Sequence, residues 1–189
     1  MLTDRIIGAF TFRREVYKEV ERDTAFTQTA WLLVIGVAFL NQLGTQASRR
    51  PLPWLIGAIV GTLFAVIGFA MGAFIINWVG RVVFNADVTF EELVRTLGLA
   101  YVWNVVGVVG VLAALIPALA CVLAPGRIVA WVLGLIAWFV AVKEALDLEW
   151  VQTIVTVILG WIALFVIMLI AGLVLGALGL GAAALGGRF

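Results

Sequence analysis

The chain has no histidine, and its one cysteine, Cys121, lies in an apolar stretch. The first absence removes both the commonest general base and the commonest metal ligand. The second excludes an intrachain disulfide. Charge is scarce: 12% of the 189 residues are Asp, Glu, Lys or Arg, about half the ~25% typical of soluble domains. Net charge is only +1, so there is no electrostatic footprint for nucleic acid. No nucleophile elbow, no phosphate-binding glycine loop followed by lysine and no zinc-type cysteine spacing occurs. These absences predict a protein that is not an enzyme and carries no cofactor and no metal.

Apolar sequence is abundant. Hydrophobic residues make up 65% of the chain and mean hydropathy is +1.19. Apolar runs of 18 or more residues read as membrane-spanning helices. The expected fold class is all-α, a polytopic membrane helical bundle with five transmembrane helices and interfacial amphipathic helices. The spans are expected near 24–44, 54–79, 98–116, 128–142 and 150–171. Residues 1–23 are expected as a polar N-terminal helix, 24–180 as the membrane domain and 181–189 as a short Gly/Ala-rich tail. Arg49, Arg50, Pro51 and Pro53 mark the turn after the first span, since closely spaced prolines resist helix continuation. Pro117 and the Pro125–Gly126 pair bracket an apolar stretch too short to cross. It is expected to finish the third span and turn into the fourth. The N-terminal apolar patch (Ile6, Ile7, Ala9, Phe10) is too short for a secretory signal peptide.

Charge is sorted by end. All eleven carboxylate side chains fall in three segments: Asp4 to Asp23, Asp87 to Glu92, and Glu144 to Glu149. Alternation with the apolar runs brings those segments to one face of a membrane. Lysine and arginine near the span ends also favour that face, and the positive-inside rule then places the N-terminus in the cytoplasm and the C-terminus outside. Ten arginines against two lysines suggest a bacterial genome of high GC content, hence a bacterial cytoplasmic membrane.

Two amphipathic segments are expected at the membrane surface. In the N-terminal one, Val16, Tyr17 and Val20 form a narrow apolar stripe among charges; it lies on the bilayer or docks a soluble partner. In the second, Thr89 and Glu92 have capping-box spacing. Phe90, Leu93, Val94 and Leu97 then share one helical face, and Glu91 and Arg95 form an i,i+4 pair in the favourable order.

Helix packing in lipid depends on close backbone approach. Gly57, Gly61, Gly68 and Gly72 line the second span, and Gly134 and Ala141 belong to a small-residue stripe on the fourth. The second and fourth spans are therefore expected to be central. Trp31, Trp54, Trp78 and Trp150 sit near span ends, where indole rings favour the interface. Asn77 and Asn104 are the intramembrane polar candidates, the default place to look for function in a span.

Asp87, Glu91, Glu92, Arg95, Lys143, Glu144 and Asp147 form a candidate recognition patch for a partner protein, with Lys143 and Asp147 close enough to pair on one helix face. Two functions follow. One is a protein that binds or organises other proteins in the membrane, including as an accessory subunit of a larger complex; homo-oligomerisation is compatible with it. The other is a transporter, channel or lipid-handling protein, built on Asn77, Asn104 and the breaks at Pro117 and Pro125.

Three stretches together resemble the Yip family, the membrane domain named for Ypt/Rab-interacting proteins, in its bacterial branch. They are VYKEVERDTAFTQTAWLLV (16–34), TFEELVRTLGLAY (89–101) and WFVAVKEALDLEWVQTI (138–154). The resemblance implies five membrane helices, a cytoplasmic N-terminus and a short exposed C-terminus. The aspartate-leucine-tyrosine-glycine-proline type motif of eukaryotic members is absent, and no proline follows Gly98 at the start of the third span.

Overall fold

The structure is a computed structural model that describes residues 1–48 and 50–177, all of its regular elements being helices. They are α1 (Leu2–Phe10), α2 (Arg14–Arg22), α3 (Phe26–Thr45) and α4 (Pro51–Phe84), then α5 (Phe90–Ala100), a 3₁₀ stretch (Tyr101–Val109) and α6 (Gly110–Leu115), then α7 (Ala118–Leu146) and α8 (Trp150–Ala177). Five segments are long and apolar enough to cross a membrane: α3, α4, the α5–3₁₀–α6 run, α7 and α8. The expected bundle of five spans is what the helices form. The predicted Gly/Ala-rich tail, 181–189, lies outside the described residues.

The third and fourth spans meet elsewhere than the prolines suggested. The chain turns at Ile116 and Pro117, and the stretch after Pro117 begins α7. Pro117 caps that helix, a position where its missing N–H costs nothing. Pro125 lies inside α7, and the helix continues through it. At the other end, Asn85 (φ 53°) and Asp147 (φ 48°) close α4 and α7 in the left-handed conformation, which short polar side chains tolerate better than most.

The centre of the bundle is the third span, not the second and fourth. In its most apolar stretch 33% of residues are buried, against 28% in α3 and in α4, 22% in α8 and 6% in α7. The glycines explain this. A Cβ on Gly44 of α3 would overlap the Gly107 carbonyl oxygen, and one on Gly110 would lie 2.5 Å from the Gly44 carbonyl. A Cβ on Gly98 would lie 3.0 Å from the Ala30 side chain. Glycines on α3 and on the third span therefore face each other, and the two backbones come into contact. On α4, Gly57 and Gly61 accommodate Gln46 and Gln42 of α3, whereas a Cβ on Gly68 or Gly72 would meet nothing described within 4 Å. The packing role expected of Gly68 and Gly72 is thus not found. Gly134 and the buried Ala141 do pack, Gly134 against Trp103 of the third span. Helices α4 and α7 touch locally, through Phe69 on Trp138 and Gly80 on Leu146. A small-residue stripe permits close approach; a matching stripe opposite is needed to produce it.

The apolar faces of the two amphipathic segments are turned inward, onto the bundle. Helix α5 is buried from Leu93 to Ala100 and packs on α2, α3, α4 and α7. The capping box at its start forms as expected: Glu92 N–H donates to Thr89 Oγ1 (3.2 Å) and Thr89 N–H to Glu92 Oε2 (2.7 Å). Helix α2 turns its stripe of Val16, Tyr17 and Val20 inward against α5 and α7. The N-terminal pair folds as one unit, with Arg5 bridging Glu19 (2.6 Å) and Asp23 (2.8 Å). Burial alone would lower the Arg5 pKa, and those two carboxylates outweigh it and raise it. Thus α1 and α2 cover the charged end of the bundle.

Candidate functional site

Residues predicted as one recognition patch divide into two sets. Arg95 is 2% exposed. Its Nε donates to the carbonyls of Val20 (3.0 Å) and Glu21 (2.9 Å), Nη1 donates to Thr27 Oγ1 (3.1 Å), and Nη2 also reaches the Glu21 carbonyl. Those carbonyls belong to the last turn of α2, where helix acceptors lack intrahelical partners and carry partial negative charge. The expected Glu91–Arg95 pair does not form, because the α2 terminus offers the guanidinium a buried, multidentate alternative.

Glu144 is buried as well, at 4% exposure. Its carboxylate lies 3.9 Å from Arg14 Nε, 3.6 Å from Lys18 Nζ and 3.7 Å from Lys143 Nζ. Lys18 also reaches Asp147, at 3.5 Å. The pairing expected between Lys143 and Asp147 is replaced by this one, since Asp147 has left the helix and the i,i+4 geometry with it. Lys143 instead sits 5.7 Å from the Trp150 ring centre, on which Arg14 also converges at 5.6 Å. Arg95 and Glu144 thus hold the cap in place and are not available to a partner.

Asp87, Glu91, Asp147 and Glu149 remain exposed at this end, with Glu92 half-buried in its capping box. Beside them Glu21 has no ion pair among the described residues, and its pKa is raised. Desolvation is the largest cause, and the charges of Asp147 and Glu92 add to it. Carboxylates therefore predominate on the free surface of this end, with Arg14, Lys18 and Lys143 engaged by Glu144 and Asp147 and Arg22 exposed beside Glu21.

Asn77 and Asn104 are not brought together. Asn77 is buried and donates to the Val88 carbonyl at 3.1 Å, holding the loop that leads into α5. Asn104 donates to the Tyr101 carbonyl (3.2 Å) and lines a cleft of about 730 Å³ in the half of the bundle away from the charged end. Asn41, Arg127, Trp131 and Trp138 are among its walls. Sequence reading singled out none of Lys18, Glu21 and Arg127. Arg127 carried a signal, as an isolated charge between the third and fourth spans.

Five apolar helices with every carboxylate side chain at one end define an integral membrane protein of the all-α polytopic class. The Yip1 domain profile matches residues 7–186, nearly the entire chain, and the chain belongs to that family. No curated protein and no solved structure matches it.

Proposed function

We propose that this protein is a non-enzymatic membrane component that binds and organises other proteins through its charged end, as a scaffold or an accessory subunit. The acidic surface around Glu21 carries this reading. Asp87, Glu91, Asp147 and Glu149 are exposed there, and burial with the nearby charges of Asp147 and Glu92 outweighs the opposing effect of Arg22 and Lys18 on Glu21. Like charges gathered on one surface are unfavourable in isolation and attract a partner of opposite sign. The partner is therefore a protein with a basic segment at this membrane face, which the lysine and arginine bias near the span ends assigns to the cytoplasm. The lack of histidine, of a zinc-type cysteine pattern and of a mid-span carboxylate supports a role without catalysis.

The test is mild detergent extraction of the tagged protein from its native membrane, followed by native mass measurement and identification of co-purifying chains. A stoichiometric companion is expected, lost in a Glu91→Lys, Glu149→Lys double variant that still folds. A lone chain, or companions indifferent to charge reversal, would overturn the reading.

A further inference from the structure

The cleft between α3, the 3₁₀ stretch, α7 and α8 is polar at its mouth and aromatic further in. Arg127 is exposed at the mouth, and no described carboxylate lies within ion-pair distance of it. Every carboxylate side chain of the sequence belongs to segments at the other end of the bundle. The Asn41 carboxamide has no hydrogen-bond partner among the described residues, and Asn104 uses one of its two amide hydrogens on Tyr101. Uncompensated carboxamides are costly in a membrane. Further in, Trp138 keeps a buried indole N–H without an acceptor.

We propose that this cleft binds one anionic phospholipid from the leaflet opposite the charged end. Its phosphate sits on Arg127, with the carboxamides of Asn41 and Asn104 beside it, and an acyl chain lies along Trp131 and Trp138.

Depth supports this. Arg127 and Trp138 are eleven positions apart on α7, roughly 16 Å of helix. That is about half of a ~30 Å hydrocarbon core, one leaflet deep. Size supports it too, since 730 Å³ falls in the ~300–1,000 Å³ range of small-molecule sites.

Charge selects the headgroup. An arginine fork matches phosphate oxygens in a bidentate arrangement, and the acidic residues that would compete are a bilayer away. The inner end is closed: Trp103 donates to the Ala9 carbonyl at 3.4 Å and packs on Phe10 and Phe12, with ring centres 4.8 and 5.6 Å apart. An inner wall backed by the N-terminal cap suits holding a ligand rather than conducting one.

The proposal is tested by delipidating the full chain in detergent and titrating phosphatidylglycerol or phosphatidylcholine, with bound lipids counted by native mass spectrometry. A single saturable phosphatidylglycerol is expected, held about tenfold more tightly than phosphatidylcholine, a difference of ~1.4 kcal/mol. Arg127→Gln should remove that preference and Arg127→Lys retain part of it. Arg50→Gln, an exposed arginine on the same side, should leave it unchanged. Ala124→Trp, which narrows the mouth at an exposed position, should exclude both lipids without altering the melting temperature. Unsaturable binding of several lipids, or equal binding by Arg127→Gln, would reduce the cleft to ordinary lipid-facing surface. Tighter binding on removal of residues 178–189 would make the natural occupant the chain's own tail, which overturns the proposal as well. None of these outcomes depends on whether a protein companion is found.

Discussion

Arg95 and Glu21, 74 positions apart, are joined by the Arg95 guanidinium donating to the Glu21 backbone carbonyl, with Nε at 2.9 Å. The same side chain serves Val20 and Thr27. One residue of the central helix therefore fixes the C-terminus of α2 and the start of α3, and through them the cap over the bundle. Replacing it with Leu leaves buried carbonyls without a donor, and hydrogen bonds to charged groups are each worth about 1.5–3 kcal/mol. Arg95→Leu is expected to destabilise the fold by ~3 kcal/mol or more. It should also open Arg13 and Arg14 to trypsin while the membrane helices stay protected. Arg95→Lys should recover only part, since an ammonium cannot reproduce the fork. Limited proteolysis in detergent with a thermal melt checks both.

Lys18 and Glu144 couple α2 to the end of α7. Their separation of 3.6 Å is an ion pair and not a short hydrogen bond, and Lys18 is half exposed. A double-mutant cycle with Lys18→Ala and Glu144→Gln should give a coupling on the order of 1 kcal/mol, falling as salt is raised. Glu144→Gln should be milder than the triple loss of Arg14, Lys18 and Lys143, which leaves a buried carboxylate unpaired. A double variant whose loss equals the sum of the two single losses at low salt would remove the coupling.

The glycines give a paired prediction. Gly44→Ala forces a methyl group into the Gly107 carbonyl, where backbone has to move. Overpacking of this kind costs about 1–3 kcal/mol or more. Gly72→Ala meets no described atom within 4 Å and replaces a poor helix former by the best, worth up to ~1 kcal/mol in a helix. The melting temperature should therefore fall for the first and hold or rise for the second. The opposite order would mean that the α4 stripe is the one that packs.

Glu21 gives a pH dependence. Its pKa is raised in the folded state above an ordinary value of 4.5, so the folded chain binds the proton more tightly than the unfolded chain. Stability from this group then falls as pH rises from the ordinary value through the raised one, and its full penalty is present at neutral pH. Glu21→Gln should melt above the natural chain at pH 7, and the advantage should vanish as pH drops below the ordinary glutamate range. Melting curves of the two proteins across pH 4–8 decide it, and a constant difference would exclude titration as its source.

Several features were legible in the sequence because they depend on residues summed along one segment. Five spans follow from apolar runs long enough to cross a bilayer. The one-sided carboxylates follow from where charge interrupts those runs. The capping box at Thr89 and Glu92 follows from a three-residue spacing. The Yip-type motifs lie on these segments in the right order, and the family match over residues 7–186 agrees with them.

What only the tertiary structure decided is which surfaces meet. Amphipathic faces at 14–22 and 90–100 look the same whether they rest on lipid or on each other, and here they pack on each other at the bundle's end. Arg95 had an in-sequence partner in Glu91 and took the α2 terminus instead, because a buried set of carbonyls outweighs an exposed ion pair. Gly68 and Gly72 form a stripe with no described atom within 4 Å of an added Cβ, while Gly44, unremarked in the sequence, meets Gly107. The cleft joins Asn41, Asn104 and Arg127 from three different spans. Hydropathy and charge act residue by residue and can be read in one dimension. Packing, burial and pairing are properties of two matched surfaces and require both.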